Sequence, residues 1–390
     1  MRNTRTRLAA CVTAAVMLFA GGCSGSGSSA NSDGLITVGV ITSLSGQYSV
    51  LGGFIKKTLD LQVESLNKAG GIEGRKVKLE YADDQTNPTQ AAIALRKLSQ
   101  KQPAAIVGPV LSSACAAIVD KVDQLKIPML TTCATDSQVN PVRDYTFMST
   151  LSTPAMVEQI TAYLAGEGKS KIAVLHDTTD FGKSGMDQFG KQDKVKVVAR
   201  ESYELKSTSF VPQLSALGRS DADAVVVWGA GPPLVTITKE YKQLGADVPL
   251  LFSGAAATPL YLQPAGAAAD GVITASSLSN VVDSVPDSNK SKAIVTELAK
   301  NYQDKYGKPI SQFTADACGA WKVIEGALKK AGSDPEAVRD AIEENPAVGC
   351  HGTYDYSAKD HRGLSAKDVW ITTVDGGSLT ATDFSKNNAG

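Results

Sequence analysis

The amino-acid sequence predicts an α/β fold with two doubly wound lobes, each built on a parallel sheet. Three observations support this prediction. Short apolar runs alternate with segments whose apolar residues recur at helical spacing, which is the pattern of right-handed βαβ units. The chain has 390 residues, enough for two or three domains of ~100–200 residues each. Its apolar content of 43% can fill large cores.

The first part of the body alternates strands and helices in a regular order. Ile55, Leu59, Val63 and Leu66 recur at helical spacing, and Gly70-Gly71 ends that helix. Short buried runs and strictly alternating apolar residues predict the strands. The predicted elements are a strand at 35–41, a helix at 54–67, a strand at 77–81, a helix at 88–101, a strand at 104–107, a helix at 113–125 and a strand at 129–132.

The same rhythm continues after residue 150. The predicted elements are a helix at 156–164, strand 171–175, helix 182–189, strand 195–202, helix 210–217, strand 224–228, helix 234–244, strands 250–252 and 272–275, and helices 290–306, 313–330 and 335–344. A single sheet holding all these strands would be wide, so two lobes fit the length better. Ligands of such sheets bind beyond the carboxyl ends of the strands, often in a cleft between domains.

The N-terminus has the features of an export signal. Arg2, Arg5 and Arg7 form a basic start, and Leu8–Ala20 is a mainly apolar run that is too short to span a membrane. We therefore expect residues 1–22 to be a signal peptide. No stretch of the chain reaches the ~18 uninterrupted apolar residues of a membrane-spanning helix.

The segment after the apolar run predicts a lipid anchor. Ala20-Gly21-Gly22-Cys23 resembles a bacterial lipobox, in which the cysteine is acylated, although Ala20 stands where leucine is usual. The alternative is ordinary signal cleavage beside an incidental thiol. Residues 23–34 would be the lipidated cysteine and a flexible Ser/Gly-rich tether. On this hypothesis Cys23 anchors the exported protein to the outer face of the cell membrane.

Charge and cysteine content narrow the possible functions. A net charge of −1 excludes a broadly basic nucleic-acid binder. Export predicts an oxidising compartment for Cys115, Cys133, Cys318 and Cys350, and four cysteines allow three pairings. Cys115 opens a helix and Cys133 ends the next strand, so these two could meet, and Cys318 would then pair with Cys350. The alternative is buried free thiols. The absence of CxxC spacing argues against a zinc knuckle.

Catalytic motifs are absent from the sequence. It contains no HExxH, no GxSxG and no GxGxxG after the first strand. His176 ends a predicted strand and is expected to be structural or to lie at a cleft rim, and His361 lies in a polar turn where we expect it to be solvated. Asp83-Asp84 fits a strand-end turn better than a cation site. We expect no enzyme activity, no cofactor and no metal.

Several segments in order resemble the periplasmic leucine/isoleucine/valine-binding protein family, the type I substrate-binding proteins of ABC importers. The most specific of them is the run from Asn67 to Arg75. The resemblance extends over residues 35–375. The segments are Val38-Gly39-Val40, Asn67-Lys68-Ala69-Gly70-Gly71-Ile72-Glu73-Gly74-Arg75, Tyr81-Ala82-Asp83-Asp84, Val107-Gly108-Pro109, Asp180-Phe181-Gly182 and Gly352-Thr353-Tyr354-Asp355-Tyr356.

The resemblance implies two lobes that close on a small solute and present the closed form to permease subunits of an ABC importer. The protein would act as a monomer and would not bind nucleic acid. The implied crossings between lobes lie near residues 150–154, 276–280 and 354–362. The implied lobes are 35–151 plus 278–355, and 152–277 plus 356–390.

A helix beginning at Ser112-Ser113 is the expected anion site, because the first N–H groups of a helix are unpaired and the dipole there is positive. The resemblance implies that Ser112 and Thr135 hold the carboxylate and ammonium of a ligand, with backbone contacts from Cys133 and Ala134. Plain N-capping is the alternative for Ser112 and Ser113. The resemblance also implies that an aromatic side chain covers the ligand from the second lobe, at Phe181, which could instead be a core residue. The weaker candidates for the apolar wall are Leu111, Tyr48, Trp228 and Phe313.

One departure from the family pattern leaves the ligand open. The acidic residue that commonly faces a ligand ammonium falls near Ala255, in a stretch without a carboxylate. An ammonium buried without a counter-charge is costly. The solute is therefore either an apolar amino acid, with Asp136 or Asp180 supplying the charge, or an aromatic or aliphatic carboxylate. A ligand sensor without a permease remains an alternative to an importer receptor. A secreted hydrolase would need a nucleophile–base pair that the sequence does not show.

Overall fold

The structure is a computed structural model and describes residues 34–388. The predicted signal peptide, Cys23 and nearly all of the predicted tether lie outside the described residues. In the part of the chain that is described, no helix is both long and apolar enough to cross a membrane.

The first sheet contains five parallel strands in the order β2-β1-β3-β4-β5. Its strands and helices follow the predicted alternation, with ends that differ by a few residues. The last strand of the sheet, at 146–148, was not predicted. The elements are β1 (Ile36–Thr42), α1 (Ser49–Lys68), β2 (Val77–Asp83), α2 (Pro88–Ser99), β3 (Ala105–Val107), α3 (Ser112–Leu125), β4 (Met129–Thr131) and β5 (Thr146–Met148).

The second sheet contains seven strands in the order β14-β13-β10-β9-β8-β6-β7. The first five strands along the chain are parallel, as predicted, and a terminal hairpin adds β13 and β14 in antiparallel orientation. The elements are α4 (Thr153–Gly166), β6 (Lys171–Asp177), α5 (Asp180–Phe189), β7 (Lys196–Tyr203), α6 (Val211–Gly218), β8 (Ala224–Trp228), α7 (Pro233–Gln243), β9 (Leu250–Phe252), α8 (Pro259–Ala265), β10 (Ile273–Ser277), β13 (Val369–Asp375) and β14 (Ser378–Ala381).

The segment between β10 and β13 returns to the first sheet. The packing of its helix α10 (Gln312–Ala331) along α1 shows this return. Within the described residues, the chain therefore passes between the two sheets three times: after β5, after β10 and after β12. The elements of this segment, with the C-terminal helix, are α9 (Lys290–Tyr306), α10 (Gln312–Ala331), α11 (Pro335–Glu344), β11 (Ala347–Val348), β12 (Thr353–Tyr354) and α12 (Asp383–Asn388).

Burial on both faces explains why the central strands are almost entirely apolar. All five residues of β8, Ala224-Val225-Val226-Val227-Trp228, are buried because helices cover both sides of the sheet. The largest fully buried side chains include Trp228 of this strand and Trp321 of α10. Residues 34–388 belong to one compact unit. The residue bounds of the two lobes therefore stay a prediction.

The four cysteines form the expected two disulfides. Cys115 of α3 pairs with Cys133 after β4, and Cys318 of α10 pairs with Cys350 after β11. The alternative of free thiols is wrong. The first bond ties the start of α3 to the neighbouring strand end, and the second ties α10 to the segment that follows α11.

Asp83 and Asp84 tie two strand-end loops together, as expected of a strand-end turn. Asp83 Oδ1 accepts hydrogen bonds from the backbone N–H groups of Leu44 and Ser45, and Asp84 Oδ1 accepts one from the Ser43 hydroxyl at 2.6 Å. The loop after β1 is thereby fixed against the loop after β2. This loop leads directly into Tyr48 and α1.

The prediction that His361 is solvated is wrong. Its ring is fully buried and stacks on Phe147 at a centroid distance of 4.0 Å. Its Nδ1 lies 2.9 Å from the Thr146 carbonyl oxygen, and its own carbonyl accepts from Met148 N–H. The polar sequence around it folds back against the edge of β5. Local polarity therefore gave no sign of this burial.

Two adjacent glycines of α1 test how closely this helix approaches the first sheet. A Cβ on Gly52 would lie 2.0 Å from the Ser43 carbonyl oxygen, whereas a Cβ on Gly53 would meet no atom within 4 Å. We expect Gly52→Ala to lower the free energy of unfolding by about 1–3 kcal/mol through overpacking. Gly53→Ala should raise it by roughly 0.5–1 kcal/mol, because alanine suits a helix better than glycine. Urea denaturation followed by circular dichroism measures both, and equal effects would contradict the close approach.

Candidate ligand-binding site

A pocket lies between the two sheets. It leaves about 60 Å³ in which the centre of a water molecule can move, and since one water needs ~10–15 Å³ of such space, it has room for several waters or one small solute. The lining residues are Tyr48, Leu51, Val110, Leu111, Ser112, Thr132, Ala134, Thr150, Leu151, Met156, Thr179, Phe181, Ala230, Gly254, Ala255, Gln312, Phe313 and Asp316.

Both sheets contribute the carboxyl ends of their strands to this pocket. Ser112, Thr132 and Thr150 follow β3, β4 and β5 of the first sheet, and Thr179 and Ala230 follow β6 and β8 of the second. Parallel strands place these ends at one edge of each sheet, which is where ligands of such folds bind. The position agrees with the cleft expected from the alternation of strand and helix.

A larger depression lies elsewhere and is less suitable as a ligand site. It has a volume of about 870 Å³ and opens beside the edge strand β7. Its lining includes Lys171 and Lys196, which start β6 and β7, so it lies at the amino ends of these strands. It is broad and open, whereas ligand pockets are concave and enclose most of the ligand.

The N-terminus of α3 forms the anion-binding corner of the pocket. Leu111 precedes the helix in extended conformation, and no side chain caps this end among the described residues. The Leu111 carbonyl accepts from the N–H groups of Ala114 and Cys115. Ser112 lines the pocket and is 5% exposed. The helix dipole and the first-turn N–H groups therefore face a space that suits a carboxylate.

Aromatic and aliphatic side chains form the apolar wall. Phe181 lines the pocket from the start of α5 and packs on Trp228 at a centroid distance of 5.5 Å. Trp228 is fully buried and also packs on Phe189. A Cβ on Gly185 would lie 2.3 Å from the Trp228 ring, so α5 needs glycine there to reach its position. Trp228 thus supports Phe181 from behind.

A buried polar cluster lies behind the pocket, where Tyr48 comes near Asp177 and Tyr203. Burial and the nearby Asp177 carboxyl raise the pKa of Tyr48 above its ordinary value, so the hydroxyl stays protonated. Burial also raises the pKa of Asp177, although hydrogen bonds from Thr179, Gly182 and Ala230 oppose it. Asp177 Oδ1 accepts from the Thr179 N–H and hydroxyl, which fixes the turn that carries Phe181.

Asp316 supplies a carboxylate to the pocket from α10. It is 2% exposed, and its Oδ1 lies 2.7 Å from His351 Nε2. The side-chain N–H of Gln312, one turn earlier, donates to the same oxygen at 3.3 Å. Within the described part of the chain, Asp316 is the one carboxylate among the lining residues, and none of them is lysine, arginine or histidine.

Seven of the predicted ligand residues line the pocket, and four do not. Their contact with a ligand stays a prediction. Ser113, the next residue of α3, and Cys133, which is in the disulfide, lie outside the lining, as do Thr135 and Trp228. The lining residues that the sequence predicted are Tyr48, Leu111, Ser112, Ala134, Phe181, Ala255 and Phe313.

The two acids that the sequence offered as counter-charges also lie outside the lining. Asp136 is paired with Arg362, whose Nε donates to Asp136 Oδ1 at 2.6 Å. This ion pair holds the segment of the third crossing, which contains Arg362. Asp180 starts α5 beside Phe181 but is not a lining residue.

The sequence missed several lining residues. Thr132, Thr150 and Thr179 each follow a strand, so their place at a carboxyl end was a usable signal. Gln312 and Asp316 are four residues apart on the helix that carries Phe313, so all three share one face. The sequence gave no sign that this face meets the pocket, because the position of α10 depends on packing against elements far away in the chain, above all α1.

The lining can bind a solute but has no catalytic constellation. Ser112 is the serine of the lining, and no histidine or cysteine lies with it among the lining residues of the described chain. His176 is half-buried, makes a contact with the Asp177 carbonyl and lies outside the lining. No group of acids, histidines and cysteines among the described residues is arranged to hold a metal ion.

Comparison with known sequences identifies relatives over most of the chain. A model of the periplasmic binding protein family matches residues 35–378. The chain is 27% identical over 330 residues to Leu/Ile/Val-binding protein homolog 3 of Brucella melitensis, covering 83% of this chain and 87% of that protein. It is 26% identical over 291 residues to the leucine-, isoleucine-, valine-, threonine- and alanine-binding protein of Pseudomonas aeruginosa, covering 73% of this chain and 76% of that protein.

Solved structures share the fold over nearly their whole length, and each covers 89% of this chain. An extracellular ligand-binding receptor from Rhodopseudomonas palustris has a TM-score of 0.83 at 21% identity and is covered to 99%. The branched-chain amino acid transporter substrate-binding protein of Streptococcus pneumoniae, in complex with isoleucine, has a TM-score of 0.79 at 23% identity and is covered to 98%. A solute-binding protein from R. palustris in complex with benzoate has a TM-score of 0.77 at 20% identity and is covered to 95%.

The family match runs through both sheets and all the strand ends that form the pocket. The sequence relatives are binding proteins. From the family match and these relatives, the chain belongs to the periplasmic binding protein family and is a type I solute-binding protein rather than an enzyme.

Proposed function

We propose that this protein is the extracytoplasmic solute receptor of an ABC importer and captures a small carboxylate-bearing solute by hinged closure. The observation that carries the proposal is the uncapped N-terminus of α3, which faces a pocket with an apolar wall between two sheets. A carboxylate would bind the first-turn N–H groups and Ser112, and the apolar body of the solute would pack on Phe181 and Phe313.

Two relatives of the fold support this class of solute. One was solved with isoleucine and another with benzoate. These molecules share a carboxylate and an apolar body but differ in the amino group. The names of the sequence relatives add leucine, valine, threonine and alanine to the solutes of such proteins. A small carboxylic acid with an apolar body agrees with the solutes of the solved structures and with those of the sequence relatives, and it suits the lining of the pocket.

Contacts across the mouth of the pocket support closure. Gln47, in the loop after β1, donates from Nε2 to the Leu205 carbonyl at 3.1 Å, and Leu205 follows β7 of the second sheet. Tyr48 of the same loop approaches Gly231, which follows β8. Opening of the pocket would break these contacts, and bending at the three crossings would allow the pocket to open. We infer that the two lobes that move apart are 35–151 plus 278–355, and 152–277 plus 356–390. A permease would then recognise the closed form of a monomer.

Calorimetry tests the anion corner with a panel of leucine, phenylalanine, benzoate and phenylpyruvate. Ser112→Ala should weaken binding of the tightest member by ~1–3 kcal/mol, because a buried carboxylate loses a charge-assisted donor. Ser113→Ala is the matched control, since Ser113 belongs to the same helical turn but lies outside the lining. If both variants bind like the parent, the carboxylate does not bind at this helix end.

We also propose that Cys23 carries a lipid that holds the receptor at the membrane, with the Ser/Gly-rich segment after it as a tether. The proposal rests on the sequence Ala20-Gly21-Gly22-Cys23. Mass spectrometry of the mature protein should find an N-terminus at Cys23 with an attached diacylglyceryl group. Cys23→Ala should release the protein from the membrane fraction while leaving solute binding unchanged. An unmodified N-terminus at another residue would contradict the anchor.

A further inference from the structure

We infer that a basic surface around the start of β1 docks the protein onto the anionic phospholipid headgroups of the membrane that holds its lipid anchor. The basic surface consists of Arg75, Lys76, Arg96, Lys97 and Lys101. This inference rests on the anchor proposed above, which keeps the membrane within reach of this end of the first sheet. It assigns a partner to a part of the molecule that the solute pocket does not use.

The cations surround the point where the tether joins the first sheet. On one side of β1, the Ile36 N–H donates to the Lys76 carbonyl oxygen at 2.9 Å. On the other side, the Ala104 N–H donates to the Thr37 carbonyl oxygen at 2.9 Å, and Ala104 follows Lys101 by three residues. The tether therefore joins the sheet between the two loops that carry these lysines.

Arg75 and the end of α2 complete the basic surface. The Arg75 guanidinium donates to the Leu35 carbonyl oxygen at 3.3 Å and to the Ser333 hydroxyl at 3.1 Å, so it lies directly beside the tether junction. Arg96 and Lys97 belong to the last turn of α2. Four of the five side chains of the surface are exposed, and that of Arg75 is half-buried.

The positive charge of this surface is not neutralised within the described part of the chain. None of its five cations forms an ion pair with a described carboxylate. Three acids adjoin it. Glu80 of β2 is held by Lys78 at 2.6 Å, and Asp334 accepts a hydrogen bond from the Ala337 N–H at the start of α11. Glu73 is exposed in the turn before β2 and balances at most one of the five positive charges.

Helix stability explains only part of this pattern. Arg96 and Lys97 suit the negative end of the α2 dipole. Lys76 and Lys101 lie in loops outside the helices, where that explanation does not apply. The whole chain has a net charge of −1, so the surface is not a sample of a generally basic protein. A partner with many negative charges accounts for all five cations.

The corresponding end of the second sheet mixes both signs of charge. Lys171 at the start of β6 pairs with Asp221 at 2.6 Å, and Lys194 and Lys196 lie beside Asp193 in the chain. The first sheet thus carries its excess of cations at the end where the tether joins it. Lys194 and Lys196 provide a matched control, because they are exposed lysines at the amino end of the other sheet.

Anionic headgroups are the partner that the position of this surface favours. As a flexible tether, the 11 residues 24–34 would have a mean reach of ~18 Å. Attraction between exposed charges decays over about 8 Å at physiological ionic strength, so the tether brings the surface into the range where attraction acts. Each lysine or arginine near an anionic membrane strengthens binding roughly fivefold. Five such residues around one junction are enough to orient an anchored protein.

Docking on lipid leaves the solute pocket uncovered. The pocket lies at the carboxyl ends of β3, β4 and β5, and the basic surface lies at the amino ends of β2 and β3. These are opposite ends of the same sheet. The anchored protein can therefore lie against the membrane through one end of this sheet and take up solute at the other.

Chemical footprinting of lysines on the lipid-anchored protein tests the inference. The protein is added to preformed vesicles of phosphatidylcholine alone, or of phosphatidylcholine with an equal amount of phosphatidylglycerol, and a membrane-impermeant N-hydroxysuccinimide ester then modifies exposed amines. Lys76, Lys97 and Lys101 should react more slowly on the anionic vesicles by a factor of roughly three or more, and about 0.5 M NaCl should remove the difference. Lys194 and Lys196 should react equally on both kinds of vesicle.

Charge reversal identifies the residues responsible. Lys97→Glu combined with Lys101→Glu should abolish the protection of Lys76 on anionic vesicles. Lys194→Glu combined with Lys196→Glu changes the net charge by the same amount and should leave that protection intact. Circular dichroism checks folding, and glutamine replaces glutamate at both positions if the first double variant does not fold.

Two results would overturn the inference. The three lysines could react equally on both kinds of vesicle, or Lys76 could stay protected after the charge reversal. If mass spectrometry finds no lipid on Cys23, the proposed anchor fails, and the same footprint of the unanchored protein with excess vesicles decides whether the surface binds lipid. Solute binding is measured separately by calorimetry, so the proposal of a solute receptor stands or falls on other data.

Discussion

The structure depends on one constraint: two sheets present the carboxyl ends of their strands to the same narrow gap. The N-terminus of α3 lies at this gap, and no side chain among the described residues caps it. A folded protein would normally pair such N–H groups internally. Here they lie at a small pocket whose walls are largely apolar. On the proposed function, the carboxylate of a small solute supplies the partner.

The rest of the fold holds these groups at fixed positions. Trp228 lies behind Phe181, and the close approach of α1 to the loop after β1, which requires Gly52, places Tyr48. One disulfide joins the start of α3 to the end of β4, and the other joins α10 to the segment of His351. On the proposed function, the two sheets with their attached helices move as rigid parts, and bending occurs at the three crossings between them.

The sequence predicted what depends on local pattern and missed what depends on long-range packing. The alternation of strands and helices and the place of Ser112 at a helix start follow from nearby residues. The observed cysteine pairing was one of three that the sequence allowed, and the structure decides it. Asp316 was missed because it reaches the pocket through long-range packing of α10, above all on α1, which lies about 260 residues earlier in the chain. His361 was misjudged for the same reason, since its polar neighbours hide a contact with Phe147. Ser113 and Thr135 show that a residue next to a site can lie outside its lining.

A crystal structure of the protein with its tightest-binding solute tests the central claim most directly. The account predicts density for one molecule between the two sheets. Its carboxylate should lie within hydrogen-bond distance of Ser112 and the first N–H groups of α3. A solute bound in the open depression beside β7, or bound between the sheets with its carboxylate away from α3, would contradict the account.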